Sequence, residues 1–117
     1  MSYAGSIVAF PAVFQQNSLQ FFSRQEMNLI LNIYGRLVSA GHLKDYAISE
    51  DSNYVTFGFF KRASERPAYR IIKDPRLRKK QGMFVIIGAD GQVLKRGNCL
   101  KNLLKFFEPK LIRLVKQ

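Results

Sequence analysis

The sequence predicts an α+β fold: an antiparallel sheet of about five strands, with one long N-terminal helix and a C-terminal amphipathic helix packed on one face. Three observations carry this expectation. A capped stretch of helical period runs from Phe22 to Gly41, short aromatic and β-branched runs between polar turns follow it, and a second helical stripe comes near the end.

Met1 to Asn17 shows neither period and contains Pro11, so it reads as an irregular arm whose Phe10, Val13 and Phe14 can lie against the body. Ser18 to Phe22 reads as a short strand. Ser23 and Glu26 then form a capping box, with Phe22 and Met27 placed for a hydrophobic staple. Met27, Ile30, Leu31, Tyr34, Leu37 and Val38 recur on one helix face, and Asn28, Asn32, Arg36 and Ser39 fall on the other. Gly41 is suited to the left-handed position that ends a helix.

Asp45 to Ser49 suits a short strand, and Glu50 to Asn53 a turn of self-bonding polar side chains. Tyr54 to Lys61 alternates, with Val55, Phe57 and Phe59 on one side and Tyr54, Thr56 and Phe60 on the other. Arg62 to Pro67 is a polar connection to an antiparallel neighbour at Ala68 to Lys73. Asp74 to Gly82 is a charged loop or a single helical turn opened by Pro75. Met83 to Ile87 and Gln92 to Arg96 pair across Ala89-Asp90-Gly91, because Asp-Gly supplies the positive φ of a tight hairpin. Asn98 is the expected N-cap of the last helix, whose stripe is Leu100, Leu103, Leu104 and Phe107. Pro109 should kink or restart it, and the stripe resumes at Leu111, Leu114 and Val115. The expected organisation is an arm over 1–17, one α+β domain over 18–108 and a basic amphipathic tail over 109–117.

At 117 residues and 47% hydrophobic, one core can form without metal or disulfide support. The single cysteine, Cys99, excludes an internal disulfide and suits a reducing compartment. No apolar run approaches the roughly 20 residues that cross a bilayer. Ile7 to Phe14 is short, broken by Pro11 and has no basic residue before it, unlike a secretory signal. A cytoplasmic protein is expected. The net charge is +11, and all but three of the 19 Lys and Arg residues fall after residue 60, against half of the eight acids. A polyanionic partner or anionic surface is the physical implication of that asymmetry.

Several blocks carry a resemblance: Glu26 to Arg36 followed by Ala40-Gly41; Asp45-Tyr46-Ala47-Ile48; Arg62-Ala63-Ser64-Glu65 with Pro67, Tyr69-Arg70-Ile71 and Lys73; Gln81-Gly82; and Leu94-Lys95-Arg96-Gly97. In this order and spacing they resemble the DUF2794 family of small alphaproteobacterial proteins, over residues 19–108. The resemblance implies a stand-alone bacterial cytoplasmic domain and brings no activity, cofactor or ligand with it.

The main candidate site is therefore the basic region: Lys61, Arg62, Arg66, Arg70, Lys73, Arg76, Arg78, Lys79 and Lys80, with Lys95 and Arg96. Their cations can neutralise phosphates, and Tyr54, Phe60 and Tyr69 interleave with them as rings that could stack on bases. No RNP, KH or helix-turn-helix signature accompanies them. The alternative is a solvated basic rim around core aromatics. Arg62 to Arg66 could bind a phosphate through Ser64 and the arginines, or form an internally salt-bridged connection. The terminal stripe beside Lys101, Lys105, Lys110, Arg113 and Lys116 could meet an anionic membrane or a partner groove, or cover the sheet.

Catalysis is not expected. His42 is the only histidine, Cys99 has no histidine near it in sequence, and Asp45, Glu50 and Asp51 have nothing that pairs them as acid and base. No metal or cofactor is implied. The leading expectation is a non-catalytic binding module that contacts nucleic acid through its basic second half. The rival is a protein-interaction or regulatory subunit of a bacterial complex, docking through Asn28, Asn32 and Arg36 or through the tail.

Overall fold

The computed structural model describes residues 21–62 and 66–111. The expected arm, most of the first expected strand, Ser64, Glu65 and the tail beyond Leu111 lie outside the described residues. Phe21 and Phe22 are not strand but buried side chains leading into the first helix.

Helix α1 (Arg24–Ser39) starts as its capping box dictates: the Glu26 N–H donates to Ser23 Oγ at 3.1 Å, and the Ser23 N–H donates to Glu26 Oε1 at 2.7 Å. It ends in a Schellman motif, in which the N–H groups of Gly41 and His42 donate back to the Val38 and Leu37 carbonyls. Gly41 takes φ +87° there, which a Cβ would oppose. The buried line is Ile30, Ile33 and Leu37. Leu31 and Val38, expected on the inner face, are exposed instead, and Ile33 takes the inner place. The inner face is centred on Ile30, Ile33 and Leu37, spaced three and four residues apart, which leaves Leu31 and Val38 outside it.

Five strands follow: β1 (Asp45–Glu50), β2 (Val55–Phe60), β3 (Tyr69–Lys73), β4 (Phe84–Gly88) and β5 (Val93–Gly97). They form one sheet in the order β1-β2-β3-β4-β5, each antiparallel to the next. The β4–β5 hairpin turns at Gly91, φ +85°, and carries a register irregularity at Ile86/Ile87. Helix α2 (Leu100–Leu104) runs into a 3₁₀ turn, Lys105–Phe107, and residues 108–111 are helical again. The irregularity precedes Pro109 for a chemical reason. Proline has no N–H to give the Lys105 carbonyl, which accepts from Glu108 instead.

Both helices lie on one side of the sheet. Ile30, Ile33 and Leu37 of α1 and Leu100, Leu103 and Leu104 of α2 share a single core with Phe57, Phe59, Ile71, Phe84 and Ile86. Phe59 meets Phe107 at 5.5 Å between ring centres, and Phe107 meets Tyr69 edge-on at 5.1 Å. Each ring as deeply buried as Phe57 contributes about 1.5–3 kcal/mol from area alone. Leu111 joins the same core.

Asn98 does not cap α2. Cys99 is the N-cap, without a side-chain bond. The Asn98 amide reaches the other way: its oxygen accepts from the Met83 N–H at 2.7 Å, and its nitrogen donates to the Arg78 carbonyl at 2.9 Å.

Candidate functional site

Among the described residues, strand alternation leaves one face of the sheet without a helix. The register sets a row across all five strands, Ser49–Thr56–Ile72–Val85–Arg96, and beside it a second, Ala47–Gly58–Arg70–Ile87–Val93. Both rows have the parity opposite to Phe57, Phe59 and Ile71. Val85 and Ile87 are buried yet take no part in the helix-side core. They floor a cavity of about 450 Å³, walled by Arg70 and Arg96 and by Glu50, Asp51 and Tyr54 of the β1–β2 turn. Asp74, Leu77 and Met83 close its third side.

The charges around this cavity are unequally partnered. Asp51 accepts the Ser52 N–H at 2.7 Å and the Tyr54 hydroxyl, which together hold its carboxyl below the usual range. The same bond pushes the Tyr54 phenol up. Asp74 accepts three bonds from Arg76: the backbone N–H at 3.1 Å, Nε at 3.0 Å and Nη2 at 2.9 Å. The guanidinium is the largest cause of Asp74's lowered pKa. Arg96 has no such arrangement; its Nη1 is buried and makes no hydrogen bond.

Next to the cavity the β3–β4 connection forms a tight corner. The Leu77 carbonyl accepts from the N–H groups of Lys80, Gln81 and Gly82. Gly82, at φ +106°, sits so close to Gly97 that a Cβ would lie 2.9 Å from its Cα. The Asn98 amide pins the same corner. Arg78, Lys79 and Lys80 project from it, exposed and without an acidic partner among the described residues. The Arg78 guanidinium donates through Nη2 to Met83 Sδ, a weak bond at 3.9 Å.

The basic region is thus divided. Arg70, Arg76, Arg78, Lys79, Lys80 and Arg96 gather on the helix-free face and its corner. Lys61, Arg62 and Arg66 stand at the opposite end of β3, where Arg66 lies 3.8 Å from Asp90 with both side chains largely in solvent. Lys95 turns to the helix side and donates to the Asn102 carbonyl. Lys73 is buried and donates to the Phe21 carbonyl at 2.7 Å and to Glu26 Oε1 at 2.9 Å. Tyr69 is no stacking platform on the open face, since it packs on Phe106 and Phe107 under the Lys110 ammonium.

A protein-family model described as "Protein of unknown function (DUF2794)" matches residues 20–104. The chain belongs to the DUF2794 family. The matched span opens just before the α1 cap and closes on the last residue of α2, so the open face and its corner belong to the DUF2794 domain itself. No curated protein and no solved structure matches the chain significantly.

On the other side of this DUF2794 domain, Asn28, Asn32 and Arg36 are exposed along α1. Asn32 and Arg36 line a groove of about 720 Å³ with Leu31, Gly35 and Ser39, closed by Leu111. Among the described residues, no three His, Cys, Asp or Glu side chains are placed to hold a metal ion. No helix among them is long and apolar enough to cross a membrane.

Sequence reasoning named the arginines but not the surface that joins them. Val85 and Ile87 lie in a run of eight apolar or glycine positions, Gly82 to Ala89, which signals burial without saying on which side. The Asn98 clamp had no local signal, because its partners are 15 and 20 residues away.

Proposed function

We propose that this DUF2794 domain is a non-catalytic module that binds nucleic acid through phosphate contacts at the β3–β4 corner. One observation supports the reading above all: Arg78, Lys79 and Lys80 project together from a corner held by Asn98 and by the Gly82–Gly97 contact, with no acidic partner among the described residues. Ammonium and guanidinium groups in such a cluster displace counterions from a phosphate backbone, so binding should fall steeply with salt. A pinned corner loses little conformational entropy on contact.

The test is binding to unrelated oligonucleotides over a range of salt. Changing Arg78, Lys79 and Lys80 together to glutamine should weaken binding and make the slope of log K against log salt shallower by about 2–3. The pair Lys61→Gln and Arg66→Gln, at the far end of the sheet, should change it much less. No binding even at low salt would end the proposal, and a flat salt response would show that the corner is not the contact.

A second reading has its own support in the α1 groove, where exposed Leu31 lies beside Asn32 and Arg36. On that reading the domain is a protein-interaction subunit, and a partner captured from lysate would persist after nuclease treatment. A nucleic-acid-bridged association would not.

A further inference from the structure

The outer edge of β1 carries a separate inference. Four of the five large apolar side chains exposed among the described residues gather there: Tyr46 and Ile48 on the strand, 44% and 47% exposed, and Leu31 and Val38 on α1. Tyr34 joins the two elements, meeting Tyr46 edge-on at 5.1 Å between ring centres. Leu31, Tyr34 and Val38 are spaced three and four residues apart, so one flank of the helix continues the apolar ledge that the strand begins. No described strand lies beyond β1. An apolar ledge beside an unpaired strand marks a surface that another chain covers. We propose that a second copy covers it, the two β1 strands pairing antiparallel about a twofold axis to make one continuous sheet.

The hydrogen-bond pattern limits the register. The Asp51 N–H donates to the Tyr54 carbonyl at 2.8 Å, so the odd-numbered residues of β1 face β2, and the N–H and C=O groups of Tyr46, Ile48 and Glu50 point away from the sheet. The Tyr46 N–H is met there by the neighbouring Asp45 carboxylate at 2.8 Å. A symmetric ladder must join these outward groups to one another, and charge chooses among the registers that do so. With Tyr46 opposite the partner's Ile48, Ala47 sits on the axis and Lys44 comes opposite the partner's Glu50 at both ends. A slip one way sets Asp45 against the partner's Asp51, and a slip the other way sets Lys44 against the partner's Ile48. Lys44 and Glu50 are exposed and without a salt bridge among the described residues. The strand is therefore complementary to its own reverse, apolar at the centre and oppositely charged at its ends. Residues 1–60 hold three Lys and Arg against four acids, so two chains can meet at this edge without setting their basic halves against each other.

The experiment is sedimentation equilibrium on the full, nuclease-treated chain, and a monomer–dimer equilibrium is expected. Ile48→Lys alters an exposed side chain, so it should keep the fold, checked by circular dichroism, and weaken the dimer at least about tenfold. Lys44→Glu and Glu50→Lys should each weaken it about tenfold, because like charges then meet at both ends of the ladder. An equimolar mixture of those two variants should recover the affinity, since each end of the mixed pair again joins opposite charges. A variant that had merely lost its fold could not recover on mixing. The Arg78, Lys79 and Lys80 triple variant should dimerise normally, which separates this edge from the nucleic-acid corner, since either can fail alone. A monomer at every concentration up to about 1 mM, or loss of the dimer on nuclease treatment, would overturn the proposal. So would a dimer indifferent to Ile48→Lys, or charge variants that either match the unaltered chain or fail to recover on mixing.

Discussion

Asp74 accepts a backbone and two guanidinium hydrogen bonds from Arg76 while itself nearly buried. Its folded pKa is lowered, so the unfolded chain takes up the proton first as pH falls. The stability this carboxylate contributes is complete above its ordinary value, about 3.9, and is lost as pH drops through the lowered one. Asp74→Asn should therefore cost about 1–2 kcal/mol near neutral pH, a figure kept low because Arg76 is solvent-exposed. Urea titrations should show the gap to the unaltered protein closing below about pH 4. Single residues were unevenly legible in the sequence. Asp74 before Pro75 announced a turn, and Gly41 and Gly91 announced positive φ. Asn98 misled because a cap is a local inference, whereas its amide is claimed by Met83 and Arg78 across the fold.

At the scale of elements, α1 carries the sharpest test. Ser23 and Glu26 make a reciprocal cap that the sequence spelled out, but Glu26 Oε1 also receives the buried Lys73 ammonium. Ser23→Ala should cost about 1 kcal/mol, the ordinary loss of a cap. Glu26→Gln preserves a cap-competent side chain yet removes the counter-charge of Lys73, and should cost more, about 2–3 kcal/mol. Thermal or urea unfolding of the two variants distinguishes them. An equal cost would mean that the ion pair adds nothing. Lys73 was read as one more surface cation because it ends a basic run, and nothing local shows that its register turns it inward beside Ile71 and Tyr69. The strands were legible in place, each to within about a residue. Their sidedness was legible only where polar and apolar residues alternate, as in β2.

Across the whole molecule, the meander explains why a basic run continuous in sequence is not a continuous patch. Residues 61–80 pass along the full length of β3, roughly 17 Å for five extended residues, and so reach both ends of the sheet. Overall charge asymmetry was legible; its partition into a corner, a cavity wall and a far end was not, because that depends on strand direction and register. Each strand of the meander pairs with its immediate neighbour in sequence. The Glu26–Lys73 contact is different, joining residues 47 apart. Closing so long a loop is costly before other contacts form, so this contact is expected to be added late. Its loss should leave the refolding rate nearly unchanged and raise the rate of opening, roughly 30-fold for about 2 kcal/mol. A stopped-flow comparison of Glu26→Gln with the unaltered chain would show this as a displaced unfolding limb. The same side chain that starts the helix would then determine how long the native state lasts.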